Sequence, residues 1–311
     1  MTPEPTTNQF DTTGSTSPSL LAPMYAKSAD GTEIAFYDHG GNGPDVVLGH
    51  ASGFCAAIWC EVIERLTGQF HCVTYDTRGH GKSGQPALAA PRSEAFDWER
   101  LADDLDAVID TAGLDHPLAI GHSSGAAAQV LLSERGDYLA AMYLFEPVIF
   151  DFDPPRGPWP DRELAKRTRH RRERFDSRDS ALKAFREKGP FASLTNRALE
   201  AYVDCGFREI DKGEIELILN PLDEAEIYSL ATDHFGYQRL GQITTPTTVA
   251  HGETSKSFTH DEMQHVTERI KNANLETFNA LGHFAPLEDP GQFVERVTSF
   301  FAKTADVTGA S

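Results

Sequence analysis

Cysteine is scarce. The four in this 311-residue chain, Cys55, Cys60, Cys72 and Cys205, are too sparse for a disulfide framework and lack the C-x-x-C spacing of a zinc or redox site, so they are expected to be reduced and structural. Long hydrophobic runs are missing too, and no apolar stretch approaches the roughly 20 residues that a membrane helix needs. Basic residues are outnumbered: 28 Lys and Arg face 47 Asp and Glu, a formal net charge of −19. A surface so acidic repels phosphate backbones and anionic membranes, so nucleic acid is not an expected partner. No G-x-G-x-x-G follows a strand and no paired His and carboxylate spacing fits a zinc helix, so neither a metal nor another cofactor is expected. The opening stretch MTPEPTTNQFDTTGSTSPSL has no basic n-region and no apolar h-region, which makes residues 1–22 an expected disordered tail and the protein an expected cytoplasmic one.

What is present reads as a globular enzyme-sized domain. With 40% hydrophobic and 24% charged residues, folding should bury roughly 75% of the surface that the unfolded chain exposes. MYAKSADGTEIAFYDHG reads as two strands turning at Asp30-Gly31. Strand-like DVVLGH, FHCVTYD, PLAIG and AAMYLFE then alternate with the helical patterns AIWCEVIERLTG, WERLADDLDAVIDTAGL and Ser124 to Glu134. Later, TPTTVAHG and NLETFN alternate with HDEMQHVTERIKN and GQFVERVTSFFAK. Such alternation predicts a mostly parallel, doubly wound α/β sheet built from residues 23–149 and 236–304, followed by a tail at 305–311. Between them, residues 150–235 turn charged and helix-like with no strand, an expected helical cap or lid inserted into the core. Its RHRRERF cluster reads first as a solvated helix face and second as a site for an acidic substrate group.

AIGHSSGAAAQV places Gly121-His122-Ser123-Ser124-Gly125 between a predicted strand and a predicted helix. A G-x-S-x-G string alone is weak, but this context is the one a nucleophile elbow requires. A serine at the apex of so tight a turn needs neighbours without side chains, and the following helix N-terminus points N–H groups at any developing negative oxygen.

With these residues the chain resembles the α/β-hydrolase family from about Met24 to Ala302. VVLGHASGF is similar to the family's strand and oxyanion loop, YDTRGHGKS (Asp76 to Ser83) to its D-x-R-G-x-G-x-S segment, and LGHFAPLEDP to the late loop that carries the base. The resemblance implies Ser123 as nucleophile, His283 as general base and an oxyanion hole from the backbone N–H groups of Ser124 and of Ser52 or its neighbour; Ala51 stands where glycine is more frequent. His122 competes as base, but a residue adjacent on a sharp turn projects away from Ser123. His50 reads as loop-shaping and Asp76 as a local structural carboxylate.

The acid departs from the commonest family pattern, since Ser255 occupies the offset from Gly252 where an aspartate is usual. Glu146, ending the strand after the elbow helix and fixed before Pro147, is the preferred acid; certain haloalkane dehalogenases carry theirs at that strand end. Glu253 is the alternative, and an ion pair with an arginine such as Arg156 is the ordinary reading of Glu146. A serine elbow implies an acyl-serine intermediate, hence hydrolysis of a small carboxylic ester or related acyl substrate. A non-catalytic ligand-binding protein of this fold and a cofactor-free perhydrolase are the rivals. Substrate identity and oligomeric state are not written in these residues. The pairing of a HATGF-like loop with an FEP strand end is similar to a poorly characterised, lidded subgroup of the family.

Overall fold

Gly31 adopts a φ of 87° and the Asp30 carboxylate accepts from Thr32 N–H at 3.0 Å, so the chain reverses between β1 (Met24–Lys27) and β2 (Glu33–Asp38). The computed structural model describes residues 21–84, 91–187 and 189–308. The hairpin leads into β3 (Asp45–Gly49), α1 (Cys60–Leu66), β4 (His71–Tyr75), α2 (Glu99–Ala112), β5 (Leu118–His122), α3 (Ser124–Ser133) and β6 (Ala141–Phe145). The insertion carries α4 (Glu163–Thr168), β7 (Arg174–Phe175), α5 (Arg178–Glu187), α6 (Asn196–Cys205), β8 (Phe207–Glu209), β9 (Ile215–Leu217) and α7 (Pro221–Leu230). The chain returns through β10 (Thr247–Gly252), α8 (His260–Arg269), β11 (Ala273–Phe278) and α9 (Pro290–Thr308).

The main sheet has the order β1-β2-β4-β3-β5-β6-β10-β11, and every pairing from β4 to β11 is parallel. Its strands read as nearly continuous hydrophobic runs because both faces are covered. Val47, Ala119, Met142, Leu144 and Val249 point to the layer of α2 and α3, whereas Val46, Leu48, Ile120, Tyr143 and Phe145 point to that of α1 and α9. All ten residues of α3 are buried, which explains its alanine-rich, non-amphipathic sequence. The parallel strands bring the residues that follow β3, β5, β6, β10 and β11 to one edge of the sheet.

Two expectations need correction. The insertion is not purely helical: β7, β9 and β8 form a small antiparallel sheet in that order. Strands of two or three residues are too short for periodicity to reveal; these bury Phe175, Phe207, Ile215 and Leu217, and on the outer face Glu216 takes Arg174 at 2.8 Å on one side and Arg208 at 2.7 Å on the other. The expected tail at 305–311 is helical as far as Thr308, since no glycine or proline interrupts α9 after Gly291 until Gly309. Residues 309–311 and nearly all of the expected N-terminal tail lie outside the described residues. No helix of the described residues is long and apolar enough to cross a membrane.

Candidate active site

At the end of β5 the backbone turns through Ser123 with φ 56° and ψ −112°, a conformation that costs a non-glycine residue about 1–3 kcal/mol. The flanking glycines make the turn possible. A Cβ on Gly121 would stand 2.4 Å from Ala126 Cα, and one on Gly125 would stand 2.3 Å from the Gly49 carbonyl, so α3 packs directly against β3 and β5. The strain is held in place by Ser123 N–H, which donates to Phe145 O at 2.9 Å.

Glu146 is a second strained position, with φ 45°, immediately beyond β6. Its N–H donates to Ala250 O at 2.8 Å, and its fully buried carboxylate is turned inward. One oxygen accepts from Gly252 N–H at 2.9 Å; the other accepts from Ser255 Oγ at 2.8 Å and from His283 Nδ1 at 2.5 Å. A carboxylate can only accept from the ring, so Nδ1 carries the hydrogen and Nε2 of His283 presents a lone pair. Arg156 takes no part: its guanidinium lies 3.5 Å over the Trp159 ring. Glu253 is exposed and accepts from Ala280 N–H at 2.7 Å, away from His283.

His283 reaches the elbow through its own backbone. His122 Nε2–H donates to His283 O at 2.9 Å, and the two rings lie 4.9 Å apart, which sets the His283 ring beside the residue preceding Ser123. Among the described residues no hydrogen bond joins Ser123 to the His283 ring; such contacts commonly close only around substrate. Burial, with the His283 ring adding to it, pushes His122 well below the usual imidazole range, so His122 is neutral and committed to the carbonyl.

The loop after β3 is braced by two further neutral imidazoles. His50 accepts from Thr77 N–H at 3.1 Å and donates to Ala51 O at 2.8 Å, while His80 accepts from Gly53 N–H at 2.9 Å and donates toward Arg78 O at 2.9 Å. Burial pushes them down to about 4 and about 3. With Gly53 N–H taken by His80, the backbone N–H groups of Ser52 and Ser124 have no protein acceptor among the described residues. Ser52 and Ser124 line a narrow cavity together with His80, Trp98 and Ile227. Asp76 is structural as expected, accepting from Ala56 N–H, Lys82 N–H and the Tyr37 hydroxyl at 2.7–2.8 Å.

The arginines of the insertion are mostly tied up in its own architecture. Arg171 donates to Glu224 at 2.6 Å and to the Tyr202 hydroxyl at 2.9 Å, and Arg172 lies over Phe175. Phe54, from the loop after β3, meets Phe191 and Tyr202 of the insertion and Phe284 next to His283, with ring centroids 5.2–5.5 Å apart. Sequence reasoning missed Ser255 as a partner of Glu146, His80 as a brace and this aromatic wall. The first was signalled only by its offset from Gly252; the others carry no local signature.

The model of the Alpha/beta hydrolase family matches residues 46–296. The chain belongs to that family. Among its relatives, a 2-(acetamidomethylene)succinate hydrolase of Mesorhizobium japonicum is 26% identical over 216 residues, 70% of this alpha/beta hydrolase and 73% of that protein. The probable oxidoreductase EphD of Mycobacterium tuberculosis is 38% identical over 101 residues, but that match spans 32% of this chain and only 16% of EphD. Among solved structures, E-2-(acetamidomethylene)succinate hydrolase superposes with a TM-score of 0.75 at 17% identity, covering 91% of this alpha/beta hydrolase and all of that chain (100%), a likeness of fold.

Proposed function

We propose that this alpha/beta hydrolase is a serine hydrolase that cleaves a small carboxylic ester or related acyl substrate through an acyl-Ser123 intermediate. Ser123 is the nucleophile, His283 the general base and Glu146 the acid that orients it. Residues 150–235 act as the cap over the site. The observation that carries this reading is the coincidence, at one sheet edge, of a serine in a strained turn with an imidazole whose Nδ1–H is held by a buried carboxylate.

The chemistry follows from those positions. Ser123 Oγ attacks the acyl carbon as His283 Nε2 takes its proton, and Glu146 stabilises the imidazolium that results. The carbonyl oxygen gathers negative charge and is received by the N–H groups of Ser52 and Ser124, which have no acceptor among the described residues. His283 then gives its proton to the leaving group. A water, deprotonated in turn by His283, releases the acid and restores the serine. The hydrolase relative adds general support for acyl cleavage.

The test is reaction with a fluorophosphonate, followed by peptide mapping, alongside a burst of 4-nitrophenol from 4-nitrophenyl acetate. Labelling confined to Ser123, and abolished with the burst in Ser123→Ala at an unchanged melting temperature, is expected. A folded wild type whose Ser123 is inert, yet which binds ligand tightly, would instead make this a non-catalytic receptor.

A further inference from the structure

In a chain so short of cations, an arginine without a direct ion pair stands out. Among the described residues, the guanidinium groups of Arg156, Arg162, Arg167 and Arg269 have no hydrogen-bond or ion-pair partner, and all but Arg162 are exposed. Arg162 is half-buried just before α4, its guanidinium 4.7 Å over the Phe150 ring.

Contacts place it beside the catalytic edge. Phe150 lies 5.6 Å from Phe258, whose ring lies 6.3 Å from that of His283. Arg162 is also within electrostatic reach of Glu262 and of Tyr228, whose hydroxyl lies 3.3 Å from Ser52 O and 3.1 Å from the Glu224 carboxylate. Two relays of contact thus lead from the guanidinium to the site, one through Phe150 and Phe258 to His283 and one through Tyr228 to the Ser52 carbonyl. Glu224 is already paired with Arg171, and Glu262, which attracts Arg162 from a distance, accepts from the N–H and hydroxyl of Thr259 and forms no direct ion pair with that arginine. Withdrawing a charge from water without a partner is costly, and a guanidinium remains charged at any working pH.

We infer that Arg162 anchors a carboxylate carried by the substrate itself, a few bonds from the acyl carbon that is cleaved. The planar fork matches a carboxylate in two parallel hydrogen bonds, which fixes the substrate's direction as well as its charge. The net charge of −19 makes such a local anchor necessary, because the protein as a whole repels an acidic substrate. The inference rests on the serine-hydrolase reading for its cleavage step but not for its binding step.

The experiment separates the two. kcat/KM for monomethyl adipate is measured against that for methyl hexanoate in the wild type, Arg162→Gln and Arg162→Lys. The wild type should favour the anionic ester, and Arg162→Gln should lower that preference by about 10- to 100-fold, the loss of a charge-assisted contact, with Arg162→Lys in between. Equal losses for both esters, or no wild-type preference, would overturn the anchor. In parallel, calorimetry with succinate, glutarate and adipate compares Ser123→Ala with Ser123→Ala/Arg162→Gln. Binding that disappears with Arg162 supports the anchor even if no ester is turned over, an outcome that would remove the Ser123 chemistry alone. Failure of all three diacids to bind would remove the anchor while leaving any turnover of methyl hexanoate untouched.

Discussion

Glu146 and Glu253 are both glutamates beside strand ends, and their surroundings divide their duties. Glu146 is fully buried and accepts from Gly252, Ser255 and His283; Glu253 is exposed and holds a turn through Ala280. Glu146→Gln keeps the shape but can present an amide N–H to His283, favouring the wrong ring tautomer. A drop in kcat on the order of 10³–10⁴ is therefore expected, against less than about threefold for Glu253→Gln, when both are assayed on one ester. Comparable small losses would reject Glu146 as the orienting acid. At this scale the chain was readable where chemistry demands a residue type at a fixed place: the glycines around Ser123 and the carboxylate before Pro147. Ser255 was legible only as a missing aspartate. Its hydroxyl donates to the Glu146 carboxylate, a relation between two strands that no local pattern encodes. Arg162 could not be singled out from its charged neighbours, because what distinguishes it is partial burial without a direct ion pair, a property of its place in space.

The strand–turn–helix from β5 to α3 concentrates cost in one element. A methyl group on Gly125 would overlap the Gly49 carbonyl at 2.3 Å, backbone against backbone, with no flexible side chain to yield. Gly125→Ala should therefore destabilise the fold by several kcal/mol, on the scale of severe overpacking, as read by urea denaturation. A variant within 0.5 kcal/mol of wild type, on the order of an ordinary surface change, would mean that α3 is not seated where described. Elements with strong periodicity or continuous burial, such as α2 and the parallel strands, were readable before the structure. The small sheet of β7, β9 and β8 was not, since strands of two and three residues are too short for their alternation to show, although Phe175, Phe207, Ile215 and Leu217 are buried beneath the Arg174–Glu216–Arg208 bridge. The end of α9 was misplaced for the opposite reason: nothing in the sequence stops it before Gly309, and the expected boundary ignored that.

For the whole molecule, buried neutral histidines tie stability to pH. Burial pushes His39, His50 and His234 down to about 4 and His80 to about 3, whereas in the unfolded chain each returns to about 6.5. Below pH 6.5 the unfolded state gains protons that the folded state refuses, so each of these groups lowers stability as the pH falls toward its folded value. The slope is about 1.4 kcal/mol per pH unit for each such group while only the unfolded state is protonated. Glu134, raised to about 8 by burial, and His71, raised by Asp45 and Asp38, act in the opposite sense. His80→Gln isolates one contribution. Chemical denaturation between pH 7.5 and 4.5 should show the variant less stable at neutral pH but with a shallower loss on acidification; parallel curves would show that His80 is not held neutral. The overall α/β architecture was legible because alternation of strand and helix is a property of long windows. The aromatic wall around Phe54 was not, since it joins the core to an insertion more than a hundred residues away.

Because the carboxylate that binds His283 hangs from β6, the connection after β10 contributes to it the hydroxyl of Ser255. Lys256 and Ser257, just past that hydroxyl, are exposed. An engineer seeking to splice in a tag or a reporter has here a spare splice point, provided that Ser255 and Gly252 are left in place.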